Sequence, residues 1–93
     1  MPDIELTRSH SLGLDGGREA VERVAQQLKS DLEVDYRWDD DTLRFDGSGA
    51  DGTIEVEADA VRIAISLSAF LRPLQGRIEE EAGRYLDQHL DGA

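Results

Sequence analysis

Cysteine is absent from the 93-residue sequence, and proline, aromatic residues and long apolar runs are scarce. The lack of cysteine excludes disulfide bonds, thiolate catalysis and sulfur-ligated zinc. The most apolar stretch, residues 60–71, contains Arg62 and falls well short of the roughly 20 residues that a membrane-spanning helix needs. We therefore expect neither a disulfide framework nor insertion into a bilayer.

Basic residues are also few, with 10 Lys and Arg against 21 Asp and Glu, for a formal net charge of −11. Nucleic acids and anionic membrane surfaces attract clusters of lysine and arginine, so neither is an expected partner. Residues 1–5 show neither the basic nor the apolar region of a secretory signal, which predicts a cytoplasmic protein. The length predicts a single domain, residues 1–93, with one thin core.

Alternation of apolar and polar residues predicts five β-strands. They cover residues 4–12, 34–39, 43–45, 54–58 and 61–68. Asp40 and Asp41 are predicted to form the turn of the first hairpin, because aspartate side chains bond to nearby main-chain amides. The glycine-rich connection from Gly47 to Gly52 is predicted to join the third and fourth strands.

Helical spacing of apolar residues predicts two amphipathic helices. The first covers residues 16–30, with Asp15 as its N-cap. The second has Pro73 in its first turn and Gly92 as its stop. Its apolar face is predicted to comprise Leu71, Leu74, Ile78, Ala82, Tyr85, Leu86 and His89.

The predicted order of elements is β-α-β-β-β-β-α, which is typical of an α+β domain. Sequential hairpins make the last four strands an antiparallel meander, and one apolar face on each strand requires a cover of helices on one side. We place the first strand beside the fifth. The prediction is a five-stranded antiparallel sheet of order 2-3-4-5-1 with two helices on one face, a reduced helix-grip-like topology.

Motifs for catalysis and cofactor binding are weak. Gly47, Gly49 and Gly52 spell GxGxxG, but a strand follows instead of a helix, so a turn or bulge is the preferred interpretation. A calcium loop started at Asp46 would place Asp51 where glycine is required. The histidines lack metal-binding spacing, and no serine lies in a GxSxG elbow. We expect no enzyme activity, no catalytic residues, no metal and no cofactor.

Two groups of side chains are candidates for contacts. Arg8 and His10 project from the same side of the first strand and could bind an anion or an acidic side chain; pairing within the chain is the ordinary alternative. Tyr36, Trp38 and Phe45 all lie in the first hairpin. They belong either to the core or to an apolar ligand pocket between sheet and helix.

Gly76 and Gly83 form a third candidate, because they lie seven residues apart on one side of the last helix. A partner backbone could approach closely there; tolerated surface glycines are the alternative. Small domains with a thin core often bury a spare apolar face in a symmetric copy, so a homodimer is a further hypothesis.

The chain resembles a small bacterial family, the polyhydroxyalkanoic acid system proteins, over about residues 4–90. The ordered segments that carry the resemblance are Arg8-Ser9-His10, Tyr36-Arg37-Trp38, Gly52-Thr53-Ile54-Glu55-Val56, Leu71-Arg72-Pro73-Leu74 and Ile78-Glu79-Glu80-Glu81. The resemblance implies a protein of bacteria that store carbon as polyester granules, involved in forming or regulating those granules. It implies no catalytic site.

Two functions remain open at this point. The first is a non-enzymatic accessory protein that contacts granule-associated proteins or the granule surface through a restricted apolar patch. The alternative is a small binding module for hydroxyacyl or fatty-acyl ligands, enclosed between sheet and helix near Tyr36, Trp38 and Phe45. A hydrolase or isomerase would have only His10 with a distant carboxylate as its acid–base pair.

Overall fold

The computed structural model describes residues 1–90 of the chain. Its elements follow the predicted order. They are β1 (Ile4–Ser9), α1 (Gly13–Leu32), β2 (Asp35–Asp39), β3 (Thr42–Asp46), β4 (Ala50–Val56), β5 (Ala60–Leu67), a 3₁₀ turn (Arg72–Leu74) and α2 (Gln75–Leu90). Among these residues, no helix is both long enough and apolar enough to cross a membrane. The predicted helix stop at Gly92 lies outside the described residues.

The five strands form one antiparallel sheet of order β1-β5-β4-β3-β2, which confirms the predicted placement of the first strand beside the fifth. A two-residue turn connects β2 to β3, and three residues, 57–59, connect β4 to β5. Asp40 in the first turn has φ 55°, a left-handed conformation that aspartate tolerates better than most residues. The α+β class and the sheet order follow from the sequence.

One face of the sheet and the two helices enclose the core. Alternate strand residues such as Leu43, Ile54 and Ile63 are buried, and Val21 of α1 and Leu86 of α2 pack against them. Within residues 1–90 no polar or charged residue is buried. The opposite face of the sheet is polar and exposed; it presents Glu5, Thr7, Asp35, Arg37, Arg44 and Glu55.

The first strand and first helix differ from prediction at their shared boundary. β1 ends at Ser9, where its pairing partner in β5 runs out at Ala60. Helix α1 begins at Gly13, three residues early, and Leu12 occupies the cap position with no capping side chain among the described residues. The predicted Asp15 cap is therefore wrong. Asp15 lies in the first helical turn, where its charge favours the positive end of the helix dipole.

The glycine-rich connection is shorter than predicted, because β4 begins at Ala50 and includes Gly52. Gly52 pairs with Phe45 across the β3–β4 ladder. A Cβ at Gly52 would lie 2.0 Å from the Ala64 carbonyl oxygen and 2.9 Å from Cζ of Phe45. β4 also ends earlier, at Val56, so Ala58 lies in the turn and not in the strand. Close backbone approach explains the glycine inside this strand.

The predicted last helix is divided into the 3₁₀ turn and α2. Pro73 lies within the 3₁₀ turn, which winds more tightly than an α-helix. Leu74 therefore falls out of phase with α2 and is 47% exposed, whereas the sequence predicted it on the buried face. Ile78, Ala82 and Leu86 are buried as predicted.

Candidate functional site

Tyr36 and Trp38 converge on a carboxylate that the sequence did not single out. The Tyr36 hydroxyl donates to Oε2 of Glu22 at 2.6 Å, and Nε1 of Trp38 donates to Oε1 at 2.9 Å. Gln26, one helical turn further along α1, donates to Oε2 at 3.0 Å. Tyr36 and Trp38 lie two residues apart on β2 and therefore share one face of the strand, while Glu22 and Gln26 lie four residues apart on one side of α1. The sequence does not show that Glu22 meets the two aromatic residues, because that contact depends on how α1 packs against β2.

The hydrogen bonds fix the charge states in this cluster. Burial acts to raise the pKa of Glu22, but the donors on Tyr36, Trp38 and Gln26 outweigh it and lower that pKa below its ordinary value. The bond to Glu22 raises the pKa of Tyr36. Both shifts move away from neutrality, so the carboxylate stays ionised and the phenol stays protonated at neutral pH. The cluster holds a fixed anion and is poorly suited to general acid–base catalysis.

An open groove of ≈ 630 Å³ runs between α1 and the edge strand β2. The Arg18 guanidinium lies 4.8 Å from the centroid of the Trp38 ring, in cation–π geometry. Its Nε lies 3.9 Å from Oδ1 of Asp41. The groove is lined by Asp15, Arg18, Glu19, Glu22, Arg23, Gln26 and Trp38. Its walls are charged, unlike the apolar lining typical of an acyl-chain site.

The three aromatic candidates do not share one environment. Phe45 belongs to the buried core, with 4% exposure. Tyr36 and Trp38 are half-buried at the sheet edge, with their polar atoms bonded to Glu22. Binding of an acyl chain near all three stays a prediction.

Arg8 and His10 make separate contacts within the chain. Nε of Arg8 donates to Oδ1 of Asp87 in α2 at 2.9 Å. Nδ1 of His10 accepts from the Leu12 amide at 3.1 Å, so Nε2 carries the proton and donates to the Glu57 carbonyl oxygen, also at 3.1 Å. The structure does not bring the two side chains onto one partner. An external anion at this position stays a prediction.

The two helix glycines also differ in their surroundings. Gly83 is buried, and a Cβ there would lie 3.0 Å from Nη2 of Arg8. Gly76 is exposed, with nothing within 4 Å of an added Cβ. Both glycines line one open surface hollow, but the Arg8 guanidinium lies beside Gly83, whereas the space beside Gly76 is empty.

The connection between β5 and α2 exposes apolar side chains; the sequence predicts Leu71 and Leu74 on the buried helix face and does not single out Phe70. Phe70 is 67% exposed and Leu74 is 47% exposed, and Leu71 is half-buried between them. We call residues 69–74 the apolar tip. The tip is anchored, because the Leu71 amide donates to the Ser68 carbonyl oxygen at 3.0 Å and the Leu71 side chain packs over Gly49.

A sequence signal for this tip existed. Phe70 lies after the alternating pattern of the fifth strand, which ends at residue 68, and before the helical pattern that begins at Leu71. Neither the strand pattern nor the helix pattern therefore places Phe70 in the core. Pro73 also favours a break before α2. Together these features indicate an exposed apolar connection.

Residues 1–90 contain no group of three or more His, Asp or Glu side chains arranged to hold a metal ion.

Fold and surface together define a small α+β protein with a sheet covered on one face by helices, an apolar tip and a charged groove beside the edge strand β2. The chain belongs to the family described as putative polyhydroxyalkanoic acid system protein, whose sequence model matches residues 4–90. The resemblance noted from the sequence is thereby confirmed. No curated protein and no solved structure matches the chain.

Proposed function

We propose that this protein is a non-enzymatic accessory component of polyhydroxyalkanoate storage that works at the granule in the cytoplasm, through contact of its apolar tip. The observation that carries the proposal is the exposure of Phe70 and Leu74 on an anchored connection. Membership of the family supports a role in the polyhydroxyalkanoate system. The tip exposes apolar side chains that can contact the apolar polyester.

The tip is a restricted apolar patch on a strongly acidic molecule. A polyester of hydroxyalkanoic acids presents alkyl groups and ester carbonyls, against which phenylalanine and leucine side chains can bury apolar area. Fully burying one such side chain contributes about 1.5–3 kcal/mol, and these two are already partly covered. Their exposed fractions together correspond to about 1.7–3.4 kcal/mol, which supports weak, reversible attachment with a dissociation constant of about 3–60 mM for a single contact.

The remaining chemistry supports a role without catalysis. Both ring nitrogens of His10 are occupied by main-chain groups, and Glu22 is held as an anion by three donors. Glu22 is therefore poorly suited to proton transfer, and His10 already uses both ring nitrogens for contacts within the chain. Contact is therefore the better-supported mode of action.

Co-sedimentation with polyhydroxybutyrate particles stripped of protein tests the proposal. We expect the wild-type protein to pellet with the particles and Phe70→Ser/Leu74→Ser to lose at least about tenfold in binding. Leu14→Ser is the matched control, because Leu14 is 37% exposed on α1 and lies outside the tip. Equal binding by the tip variant would refute the proposal.

A second arm uses native granules that retain their proteins. Binding to native granules alone, abolished by the tip variant, would assign the contact to a granule protein. Quenching of Trp38 fluorescence by hydroxyacyl ligands, without particle binding, would instead favour the ligand-binding alternative.

A further inference from the structure

The sheet has two edge strands, and their main-chain groups can be assigned. The Val56 amide donates to the Asp41 carbonyl oxygen at 2.9 Å, at the position that continues the β3–β4 pairing. Main-chain groups of alternate residues point to opposite sides of a strand. The main-chain N–H and C=O groups of the odd-numbered residues of β3 therefore point toward β4, and those of the even-numbered residues point toward β2. Through the β2–β3 register, the N–H and C=O groups of Tyr36 and Trp38 face away from the sheet.

The other edge is partly capped by the chain itself. The carbonyl oxygen of Asp3 accepts from Nε2 of Gln75 at 2.7 Å. That of Thr7, on the free side of β1, accepts from Nη1 of Arg8 at 3.1 Å. Within residues 1–90, no hydrogen bond of this kind reaches the main chain of Tyr36 or Trp38. β2 is thus the more available edge for strand pairing.

We propose that the β2 edge binds an extended basic segment of a partner protein, which adds a sixth strand to the sheet. In this mode the outward main-chain groups of Tyr36 and Trp38 supply hydrogen bonds, and side-chain contacts on the two faces supply specificity. β2 is regular over Asp35–Asp39 and contains no proline that would prevent pairing. The adjoining groove lies where the inward side chains of an added strand would project.

Charge around this edge selects a basic occupant. On the inner side, Asp15, Glu19 and Glu22 line the groove with Arg18 and Arg23, and Arg18 already stacks on Trp38. On the outer side, Asp35 and Asp39 flank Arg37 along β2, and the neighbouring hollow adds Asp46 and Asp51 with Arg44. Asp35 already lies 3.8 Å from Lys29, and Asp39 lies 3.4 Å from Arg44. With these bases included, the groove, β2 and the hollow still carry seven acids against five bases, so the charge at this edge favours lysine or arginine in an added strand.

A second copy of this chain fits the edge less well. Aligning the whole of β2 antiparallel with another β2 sets Arg37 opposite Arg37 and each Asp35 opposite an Asp39. Like charges directly opposite one another destabilise a strand pair. Each copy also carries a formal net charge of −11. The edge shares no residue with the apolar tip, so this proposal stands or falls independently of polyester contact.

The test uses a capped peptide of alternating lysine and valine, titrated into the protein and followed by NMR. We expect the amide signals of Tyr36 and Trp38 to shift and their hydrogen exchange to slow as the edge pairs. The outward amides of β1, including Thr7, serve as the internal control and should not change. Absence of any effect at Tyr36 and Trp38 with excess peptide would overturn the proposal.

Three variants sharpen the result. Tyr36→Pro removes an outward N–H without breaking the β2–β3 ladder and should weaken peptide binding about tenfold. Tyr36→Phe keeps that N–H while losing the bond to Glu22, and should still show slowed exchange of the position-36 amide when peptide is added. Thr7→Pro makes the equivalent change on β1 and should also leave peptide binding unchanged.

Two further outcomes would also overturn it. Equal affinity for a glutamate–valine peptide would remove the charge argument. Protection of the Tyr36 and Trp38 amides without peptide, together with a doubled mass in solution, would assign the edge to a second copy.

Discussion

The guanidinium of Arg8 lies against the backbone of Gly83, so that a Cβ on Gly83 would come within 3.0 Å of Nη2. The same guanidinium pairs with Asp87, four residues further along α2, at 2.9 Å. Glycine at position 83 thus leaves room for an arginine from β1 to lie across the helix. This contact helps to dock α2 on the edge of the sheet.

Alanine substitutions at the two helix glycines should therefore give different results. Gly76→Ala should stabilise the protein by about 0.5–1 kcal/mol, because alanine has the higher helix propensity and the added Cβ meets nothing within 4 Å. Gly83→Ala should gain less, since the new methyl displaces Arg8. Chemical denaturation of both variants measures the difference.

A double-mutant cycle identifies the cause. In an Arg8→Ala background the obstruction is gone, and Gly83→Ala should then stabilise by about as much as Gly76→Ala. An unchanged effect of Gly83→Ala in that background would show that Arg8 is not responsible.

Glu22→Gln should destabilise the protein by about 1–2 kcal/mol, because Tyr36 and Trp38 lose a charged acceptor on a partly exposed side chain. Glu19→Gln is the matched control on an exposed position of α1 and should have little effect. The pKa of Glu22 is lowered by folding, so its contribution is present at neutral pH and is lost as pH falls through the folded-state pKa. The wild type and Glu22→Gln should therefore converge in stability at acid pH, and a constant difference would contradict this explanation.

Tyr85 should make stability sensitive to alkali. Its hydroxyl donates to Asp31 of α1, and this bond, with burial, raises the pKa of Tyr85 to about 12. A raised folded-state pKa gives stability that is complete below the unfolded value of about 10 and is lost as pH rises toward about 12. Tyr85→Phe should lose less stability over this window, as measured by denaturant midpoints. An identical alkaline decline in both proteins would argue against the assignment.

Gly52→Ala should destabilise by at least about 2 kcal/mol, because the new Cβ would lie 2.0 Å from a main-chain carbonyl oxygen that cannot move without disturbing β5. Gly76→Ala, in open space, controls for the chemical change itself. A thermal midpoint for Gly52→Ala equal to that of the wild type would show that β4 and β5 relax more readily than this packing implies.

Most of the fold could be predicted because the relevant information is local. Strict alternation defines the inner face of each strand, and short polar turns force sequential strands to pair. The errors fall where two elements compete for the same residues. Asp15 looks like a cap only if the helix begins after it, whereas Gly13 with φ 74° starts the helix earlier. Gly52 looks like part of a loop until its pairing with Phe45 is known.

The surface features were harder to predict because they depend on docking. Tyr36 and Trp38 were identified as candidates, but Glu22 lies 14 and 16 residues away in sequence and meets them only when α1 covers β2. Phe70 belonged to no periodic segment, and its exposure depends on where the 3₁₀ turn directs the chain. Residue type alone did not distinguish these side chains from core residues.

The unequal edges of the sheet limit how far it can grow. A sheet with two open edges can add copies or peptides at both sides and extend without end, as fibrils do. Here Arg8 and Gln75 occupy carbonyl groups on one side, so pairing favours a single addition at β2. An assembly built through this sheet would therefore stop at a defined stoichiometry.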